Sequence, residues 1–532
     1  MRTDLVLLTL GALAVRTVGA VLVDAPPHVD AAYYTMVGEQ LATGHNFSAP
    51  AIWSFLEVGG RLPVDPSLPV PSNGHWMPMP EIVAAASMAI FGADWRAGQV
   101  PMVILSTLLV PLTYLIGLRF WGSRRVAVIA GILAIVAGSL LLMFPLVESF
   151  AVFGVFGALA LLASVQATEA ARPGPWLVLA GALAGLASLT RIDGVLLSIA
   201  PATAWWVVRA RWGGVPRAIA WGAASAVAFL AVVTPWLLRD VAVFGTAFPS
   251  AGDRLLWIRD YNEQFSISLD LTAERYVAWG LGPIAWSKLV ALIEVGGRTL
   301  TVMGGIFGVA FVYGLWSSRR DVRLAPVTGY VTLMLATMVL VFTEHAGKGA
   351  FLHSAPAWLP FALPMSVAAL GPLATRLAGF WPFLRRPATH RFLEMTGLGG
   401  AVVLAAASAA TLLGEWQVRQ ERLTSAAEFL KQEAQPNDVI MAADTPSLYL
   451  ATGLPGVAIP FDPYPIIGNV VDAYGVDWVV LSLDPGATMD PLGLWEGAEA
   501  IDSEGNRPSF LPRDPAFEAA GVRIYEVRES GG

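Results

Sequence analysis

The sequence contains no cysteine among its 532 residues. It therefore has no disulfide framework, no thiol nucleophile and no thiolate metal site. Charged residues are also scarce, at 14% of the chain, whereas a soluble domain carries about a quarter. The sequence has no Walker loop and no Gly-x-Gly-x-x-Gly after a strand, so it offers no nucleotide-binding fingerprint. The scarcity of charge points instead to a protein embedded in a membrane.

Long apolar runs dominate the first 414 residues. Apolar residues make up 55% of the chain, and the mean hydropathy is +0.61. We predict a mainly α, polytopic membrane helical bundle with about eleven transmembrane helices. The first run lacks a clear small-residue cleavage site, which favours a retained helix over a signal peptide. The predicted helices are 5–23, 98–118, 126–145, 150–168, 175–190, 194–208, 217–237, 298–316, 323–342, 353–371 and 393–414.

Arginine placement predicts which loops face the cytoplasm, because positive residues concentrate in cytoplasmic loops. The clusters are Arg119, Arg124 and Arg125; Arg209, Arg211 and Arg217; Arg319, Arg320 and Arg323; and Arg376, Arg385, Arg386 and Arg391. These clusters and Arg2 lie on the same side of the membrane only if the segment 81–92 does not cross it. That segment is shorter than the ~20 residues a span needs. We expect it to be an interfacial helix on the outer surface.

This topology describes a multi-pass protein of the cell (inner) membrane with a cytoplasmic N-terminus. The loops 24–97 and 238–297 then lie outside. The pair 175–190 and 194–208 is short and closely spaced, so it represents either two spans or distorted, tilted segments.

The tail after Gly414 loses the apolar character of the preceding chain. The predicted elements are helices at 425–435, 447–451 and 466–473 and strands at 439–442, 478–481 and 522–525. Alternating strands and helices indicate a small α/β domain. We therefore predict a transmembrane module over 1–414 and an extracytoplasmic α/β domain over 415–532, with solvated acidic and Pro-rich loops at 484–517.

Ionisable and aromatic residues collect in the segments that the topology places outside. Asp30 opens the first outer loop, and Glu148 is the only ionisable residue in the turn between the third and fourth predicted helices. We interpret these two as catalytic candidates and as the candidate ligands of any metal. The candidates for binding the donor phosphate or other substrate groups are Tyr33, Tyr34, His75, Arg191, Arg239, Lys348 and His353.

Each candidate also has a structural interpretation. Loop acids often cap helices, loop cations often anchor helix ends in headgroups, and Arg191 with Asp193 fits a local ion pair. Glu148 differs, because a charge deep in an apolar turn costs roughly 2.5–3.5 kcal/mol. Arg16, inside the first predicted helix, carries a similar cost, and we expect a structural partner for it.

Together the candidates fit the chemistry of sugar transfer. Asp30 can take a proton from an acceptor hydroxyl as that oxygen attacks a sugar carbon. A leaving lipid phosphate develops negative charge that Arg239, Lys348 or a protonated His353 can stabilise. Glu148 can orient the acceptor, assist the base, or hold a divalent cation (Mg²⁺ or Mn²⁺) with Asp30. The sequence indicates no certain cofactor beyond such a cation.

These motifs, in this order, resemble the GT-C membrane glycosyltransferases, in particular the branch of protein O-mannosyltransferases and lipid A aminoarabinose transferases. Asp30 falls on the second acid of the family's opening acidic pair, and Val29 replaces the first. Glu148 matches the family's second acidic position. The other similar stretches are Tyr33 to Leu41-Ala42-Thr43-Gly44, Trp76-Met77-Pro78 through Phe91-Gly92, Thr190-Arg191-Ile192-Asp193-Gly194, and Pro235-Trp236-Leu237-Leu238-Arg239 through Phe244-Gly245, with Asp240 replacing Asn.

The resemblance implies an integral membrane enzyme that takes a sugar from a polyprenyl-phosphate-linked donor, with inversion at the anomeric carbon. The acceptor would be an extracytoplasmic glycan, lipid or protein, and the other partner is the bilayer, with no nucleic acid. Two alternatives stay open: a transporter or flippase of lipid-linked sugar, and a catalytically inactive sensor whose tail binds a partner. Transporters often show internal repeats, and the sequence shows none.

Overall fold

The computed structural model describes residues 1–249, 254–482, 508, 510–512 and 514–527. The chain is mainly helical within them, as the apolar runs predict. In chain order the helices are α1 (Arg2–Val21), α2 (Val29–Ala42), α3 (Met79–Phe91), α4 (Trp95–Trp121), α5 (Arg124–Val136), α6 (Ser149–Glu169), α7 (Pro173–Ser188), α8 (Ile199–Val208), α9 (Val215–Phe244), α10 (Ala273–Val277), α11 (Leu281–Met303), α12 (Ile306–Ser318), α13 (Ala325–Leu340), α14 (Thr343–His345), α15 (Phe351–Ser354), α16 (Leu359–Leu377), α17 (Pro387–Glu433), α18 (Thr445–Thr452) and α19 (Tyr464–Tyr474).

Five helices in the described part of the chain are long and apolar enough to cross a membrane: α1, α4, α6, α9 and α17. Two sharply bent pairs, α11 with α12 and α13 with the helical segment ending at Ala357, raise the number to seven if each pair is one span. α3 and α7 are apolar but have 13 and 16 residues. The count of about eleven spans is therefore not confirmed.

The predicted helix at 298–316 is wrong, because two helices meet there at an angle of 109°. α11 ends and α12 begins on either side of Gly304 and Gly305, whose φ angles are 80° and 71°. Glycine adopts positive φ at little cost, and such residues end helices. The apolar run continues across the break, so hydropathy gives no sign of it.

The third predicted helix ends early, at Val136, and an irregular turn leads from there to Glu148. Arg16 of α1 is 1% exposed and donates to the carbonyls of Ala134 at 3.0 Å and Leu141 at 3.2 Å. Carbonyls in the last turn of a helix have no partner within it. Arg16 therefore has a structural role, and it holds the turn that precedes Glu148.

The short pair predicted at 175–190 and 194–208 contains one regular and one distorted segment. α7 is followed by a 3-10 helix over Ile192–Ser198, which then continues as α8. The turn between α7 and the 3-10 helix carries Arg191.

A six-stranded sheet forms the core of the C-terminal region. The strands of the chain are β1 (Ser48–Ala49), β2 (Ala51–Ile52), β3 (Val70–Pro71), β4 (Val439–Ala442), β5 (Gly456–Ala458), β6 (Val476–Ser482), β7 (Phe517–Ala519) and β8 (Val522–Glu526). The sheet order is β2-β5-β4-β6-β8-β7, parallel from β2 to β6 and antiparallel thereafter. The three strands predicted in the tail are confirmed, as are the helices at 447–451 and 466–473. Most of the loops predicted at 484–517 lie outside the described residues.

Two connections tie the C-terminal sheet to the rest of the chain. β2 belongs to the first outer loop, and its Ala51 and Ile52 pair in parallel with Gly456 and Val457 of β5. α17 runs unbroken for 47 residues through the predicted boundary at 414, so the helix predicted at 425–435 is its last part. Because α18 also packs against α2, the tail lies beside the helix that carries Asp30.

Candidate active site

Three side chains from separate elements meet at the mouth of the helical bundle. Asp30 lies in the first turn of α2, Glu148 immediately precedes α6, and His353 lies on α15. One ligand atom from each lies within 4.8 Å of the others. The two residues predicted as catalytic, and one predicted to bind substrate, are therefore neighbours in space.

Helix N-termini fix both carboxyl groups. His28 caps α2 by accepting from the backbone N–H of Ala31 at 3.4 Å, which places Asp30 in the first turn. Glu148 caps α6, and its Oε2 accepts from the backbone N–H of Ser149 at 2.9 Å. Acidic side chains are favoured at this end of a helix, because its free N–H groups and dipole attract negative charge.

Glu148 is completely buried, and two histidines flank it. His28 Nδ1 lies 3.9 Å from its Oε1, and His353 Nδ1 lies 3.5 Å from its Oε2. The ring of His353 stacks on Phe150 at 4.1 Å, and its Nδ1 is 2.9 Å from the Ser149 hydroxyl. Oε1 of Glu148 is buried and has no hydrogen-bond partner within the described residues. Such an orphaned atom indicates that a ligand completes the site.

Burial and neighbouring charge shift the pKa values of the two carboxyl groups to different extents. Burial raises the pKa of Asp30 to about 6, against the opposing pull of Arg191 and Arg419. Burial, followed by the charge of Asp30, raises the pKa of Glu148 well above its usual range. Two carboxyl groups this close do not ionise together easily. The two groups therefore titrate as a coupled pair.

Arg191 supplies positive charge beside this pair. Its Nε donates to Asp193 at 2.9 Å, and the Ser354 hydroxyl donates to the other carboxylate oxygen of Asp193. The expected local ion pair is thus present, yet the two terminal nitrogens of Arg191 have no protein acceptor within the described residues. The charge of Arg191 also lowers the pKa of Asp30, after burial has raised it. Arg191 is therefore a cation with free donors at the site.

Tyr34 and His75 form a wall near the pair. The ring of Tyr34 lies 5.4 Å from Trp76 and is nearly parallel to it. Burial, followed by the nearby charges of His345 and Arg191, lowers the pKa of His75 to about 3. Its Nδ1 is buried without a partner in the described part of the chain. His75 is thus a neutral imidazole that can bond a substrate group.

Lys348 lies on a π-helical turn over Ala346–Ala350. It is exposed, and its Nζ is 6.0 Å from the ring centroid of Tyr261. Burial, followed by the charge of Asp30, raises the pKa of Tyr261 to about 12. Lys348 is therefore close to Tyr261, whose pKa responds to the charge of Asp30, and it remains accessible to a ligand.

Tyr33 has a structural environment instead. It is fully buried, its hydroxyl donates to Glu57, and it accepts from the backbone N–H of Asn73 at 2.7 Å. The Asn73 amide continues this network by donating to Glu81 at 2.7 Å. The network stabilises the first outer loop beneath Tyr34, and the substrate-binding role of Tyr33 stays a prediction.

Arg239 is placed in a different pocket from the acidic pair. Its guanidinium donates to Asp240 at 2.9 Å and to the Ser72 carbonyl at 2.8 Å, and it lies over Trp236 at 4.6 Å. These contacts anchor the outer end of α9 to the first outer loop. The predicted contact of Arg239 with a donor phosphate remains untested.

Comparisons with known proteins agree with this architecture. A family model described as dolichyl-phosphate-mannose-protein mannosyltransferase matches residues 71–238, a stretch that includes Glu148 and Arg191. No curated protein matches the chain by sequence.

Solved structures match over most of the chain. ArnT from Cupriavidus metallidurans bound to undecaprenyl phosphate has a TM-score of 0.57 and 14% identity, and the match covers 99% of this chain and 98% of that one. The archaeal oligosaccharyltransferase AglB from Archaeoglobus fulgidus, in complex with an inhibitory peptide and a dolichol-phosphate, has a TM-score of 0.58 and 13% identity, covering 93% and 70%. The chain has the GT-C fold.

A further structure of the oligosaccharyltransferase from Archaeoglobus fulgidus, in complex with Zn and sulfate, has a TM-score of 0.55 and 13% identity, covering 90% of this chain and 68% of that one. The resemblance to GT-C glycosyltransferases is thus confirmed, and with it the mainly helical membrane architecture. Identities this low establish the fold, so the roles of individual residues stay predictions.

Two further residues near the acidic pair are not among the candidates predicted from the sequence. His28 immediately precedes α2, and this position before an acidic first turn is typical of a cap. Arg419 gave no such signal, because it lies in the tail, far along the chain from every candidate. Its proximity to Asp30 depends on how α17 packs.

Proposed function

We propose that this chain is an integral membrane glycosyltransferase. It moves a sugar from a polyprenyl-phosphate-linked donor to an extracytoplasmic acceptor, with inversion of the anomeric carbon. The observation that carries the proposal is the meeting of Asp30, Glu148 and His353 in a fold shared with proteins that bind undecaprenyl phosphate and dolichol-phosphate.

Asp30 is the proposed base. With a pKa of about 6, it is mostly ionised at neutral pH and still basic enough to accept a proton. It removes the hydroxyl proton of the acceptor as that oxygen attacks the anomeric carbon. The bond from this carbon to the phosphate oxygen breaks at the same time, and the phosphate leaves with the electron pair. Attack from the face opposite the phosphate inverts the carbon.

Glu148 is the proposed helper of Asp30. Its raised pKa keeps it protonated while Asp30 is charged, so it can donate a hydrogen bond to Asp30 or to the acceptor. This arrangement favours one ionised carboxylate and one neutral carboxyl group in a single pocket.

Arg191 and Lys348 are the proposed contacts of the donor phosphate. Arg191 has free donors beside the acidic pair, and Lys348 is exposed at the rim. Charge-assisted hydrogen bonds stabilise the negative charge that develops on a leaving phosphate. His75, neutral and unpartnered, is suited to a sugar hydroxyl.

A divalent cation fits the same three residues. With its proton released on metal binding, Glu148 would join Asp30 and His353 in a donor set of carboxylate oxygen and imidazole nitrogen, which suits Mn²⁺ or Zn²⁺ and, with more water ligands, Mg²⁺. The orphaned Oε1 of Glu148 supports this fit. A bound cation would supply positive charge to neutralise the phosphate. The protein's own residues still orient the acceptor and accept its proton.

An open groove beside the site offers a route for the acceptor. It has a volume of about 820 Å³ and lies between the chain after α1 and the outer half of α17. Its wall includes Pro27 and Trp416, and the Trp416 ring lies 6.2 Å from His28. The arginine clusters predict that both outer loops and the tail lie outside the cytoplasm, where lipid-linked sugars replace nucleotide sugars as donors.

A flippase for lipid-linked sugar is the second candidate, favoured by the bends of 109° and 99° in two helix pairs. Interrupted helices recur in transporters. Purified protein incubated with labelled lipid-linked sugar separates the two functions. A transferase releases polyprenyl phosphate, whereas a flippase leaves the donor intact.

The function is tested by mass spectrometry of glycans and glycolipids from a deletion strain. We expect one glycosylated product to disappear and to return when the wild-type chain is restored. An unchanged product profile, together with an intact donor in the purified reaction, would contradict the proposal.

A further inference from the structure

The segment that carries Lys348 packs against one helix, α11. Two cations of α11 donate hydrogen bonds to this segment: Arg298 to the Gly347 carbonyl and Lys288 to the Thr343 hydroxyl. Hydrogen bonds from an ionised donor are about twice as strong as those between neutral groups. α11 therefore holds the segment 343–350 at two points, and one of them is the peptide group immediately before Lys348.

A carboxylate of α11 lies against the same peptide group. A Cβ added at Gly347 would overlap the carboxyl group of Glu294, which supplies the three atoms nearest to it. The backbone at Gly347 has no positive φ angle, so its conformation does not require glycine. The close approach of Glu294 is what requires a residue without a side chain at this position.

The segment departs from regular helix where these contacts occur. Ala346–Ala350 form a π-helical turn, and Gly349 within it has a φ angle of 125°, which glycine adopts at little cost. Such turns are rare and are frequent at functional sites. The turn exposes Lys348. A Cβ added at Gly349 would lie 3.7 Å from Nε2 of His353, so the turn also lies next to the imidazole that flanks Glu148.

We propose that Glu294 and Arg298 are positioning residues for Lys348, so that α11 sets the geometry in which the donor phosphate is bound. The inference rests on the proposed transferase function. Glu294 sets how closely Gly347 approaches α11, and Arg298 fixes the carbonyl of the peptide group that joins Gly347 to Lys348. A displaced turn moves the Lys348 ammonium group away from the phosphate, and donor binding weakens while the fold persists.

Ordinary helix packing is the alternative, and the other contacts of α11 weigh against it. Val295, Val302 and Met303 of this helix are buried in the main apolar core. The end of α11 also packs closely on the turn after α5, where a Cβ added at Gly138 would overlap the Thr301 carbonyl. Because α11 is attached through these residues, changes at Glu294 or Arg298 should affect stability little.

The test uses a steric change and its compensation. Gly347→Ala places a methyl group where the Glu294 carboxylate lies, and Glu294→Ala in the same chain vacates that space. Gly297→Ala is the matched control, because nothing lies within 4 Å of a Cβ added there. The readouts on purified protein are the affinity for undecaprenyl phosphate, kcat/KM for labelled lipid-linked sugar, and the melting temperature.

We expect Gly347→Ala to weaken both the affinity and kcat/KM about tenfold to a hundredfold, because small displacements of a contact are costly. The double variant with Glu294→Ala should recover most of this loss, and Gly297→Ala should match the wild type. Arg298→Met should weaken the affinity about tenfold, since it removes a charged donor, and Arg298→Lys should retain more of it. Melting temperatures should change little throughout.

Lys348→Gln provides the reference for a lost phosphate contact. Wild-type affinity in Gly347→Ala beside a weakened Lys348→Gln would overturn the positioning role. Equal losses in Gly347→Ala and the double variant would overturn the role of Glu294, and a large fall in melting temperature would assign the contact to stability. Full affinity of Lys348→Gln would remove the proposed phosphate contact. A wild-type chain that neither binds undecaprenyl phosphate nor uses the donor would contradict the proposed function itself.

Discussion

Asp30 and Glu148 come from different elements, yet a ligand atom of each lies within 4.8 Å of the other and of His353. Each acid occupies the start of a helix, one in an outer loop and one at the mouth of the bundle. This shared position explains how one pocket holds two carboxyl groups, because free N–H groups at a helix start favour negative charge. It also makes the pocket suitable for a cation.

The Ser149 hydroxyl, a hydrogen-bond partner of His353, provides a test of the proposed cation site. Ser149→Ala removes the hydroxyl that lies 2.9 Å from His353 Nδ1. Loss of such partners lowers metal affinity about 10–100-fold. We expect a decrease in that range for Mn²⁺ binding, measured by electron paramagnetic resonance on purified protein, and a larger one for Glu148→Gln. Ser164→Ala is the matched control, because its hydroxyl bonds to its own helix. Equal affinity in all variants would exclude this site.

Arg239 is predicted to stabilise the loop more than it binds donor. Arg239→Gln removes the bond to the Ser72 carbonyl and leaves Asp240, which is 3% exposed, without its partner. An unpaired buried group costs about 1–3 kcal/mol, so the melting temperature should fall. Arg191→Gln should instead weaken donor binding by about tenfold or more, because it removes a charge-assisted contact. A donor-binding defect in Arg239→Gln equal to that of Arg191→Gln would contradict this distribution of roles.

Arg16 is predicted to hold the turn that presents Glu148. Arg16→Met keeps the volume but leaves the carbonyls of Ala134 and Leu141 unpaired, at about 1–3 kcal/mol for each. We expect a lower melting temperature and faster exchange of the backbone amide hydrogens with solvent in the segment 134–141. Arg2→Met, on the exposed start of α1, serves as the control. Unchanged exchange in Arg16→Met would show that the turn holds its shape without it.

Glu39 gives the outer loop a pH-dependent stability. Burial, followed by the charge of Asp94, raises its pKa from 4.5 to about 7 in the folded chain. The unfolded chain therefore releases this proton first, and ionisation favours unfolding as pH rises from about 4.5 to 7. Glu39→Gln should raise the melting temperature at pH 8 and leave it unchanged at pH 4. The exposed Glu428→Gln should show neither effect. The same shift for Glu39→Gln at both pH values would contradict this cause.

The sequence predicts those parts of the molecule that local patterns determine. The strands at 439–442 and 478–481 follow from short apolar runs, and α18 ends at Gly453, a residue type that commonly ends helices. Glu148 stands out because an acid in an otherwise apolar turn is costly without a purpose, and Asp30 stands out because it opens the first outer loop.

Other features depend on packing between distant segments. The break at Gly304 and Gly305 lies inside a continuous apolar run, so its composition resembles that of a straight span. The pairing of Ala51 with Gly456 joins two short strands with no distinguishing pattern. The charge of Arg419 opposes the effect of burial on the pKa of Asp30, and no local signal reveals this relationship between distant segments. Long-range contacts of this kind are fixed by tertiary structure.

The role of Asp30 is tested most directly by transfer activity of Asp30→Asn beside Asp24→Asn, which alters an 89% exposed acid of the same loop. Both variants should reach the membrane in wild-type amounts without a lower melting temperature, because Asp24 is exposed and the raised pKa of Asp30 means that its charge does not stabilise the fold. In purified protein with labelled lipid-linked sugar, we predict wild-type release of polyprenyl phosphate for Asp24→Asn and a loss of at least about a hundredfold for Asp30→Asn. Equal release by the two variants would contradict the account.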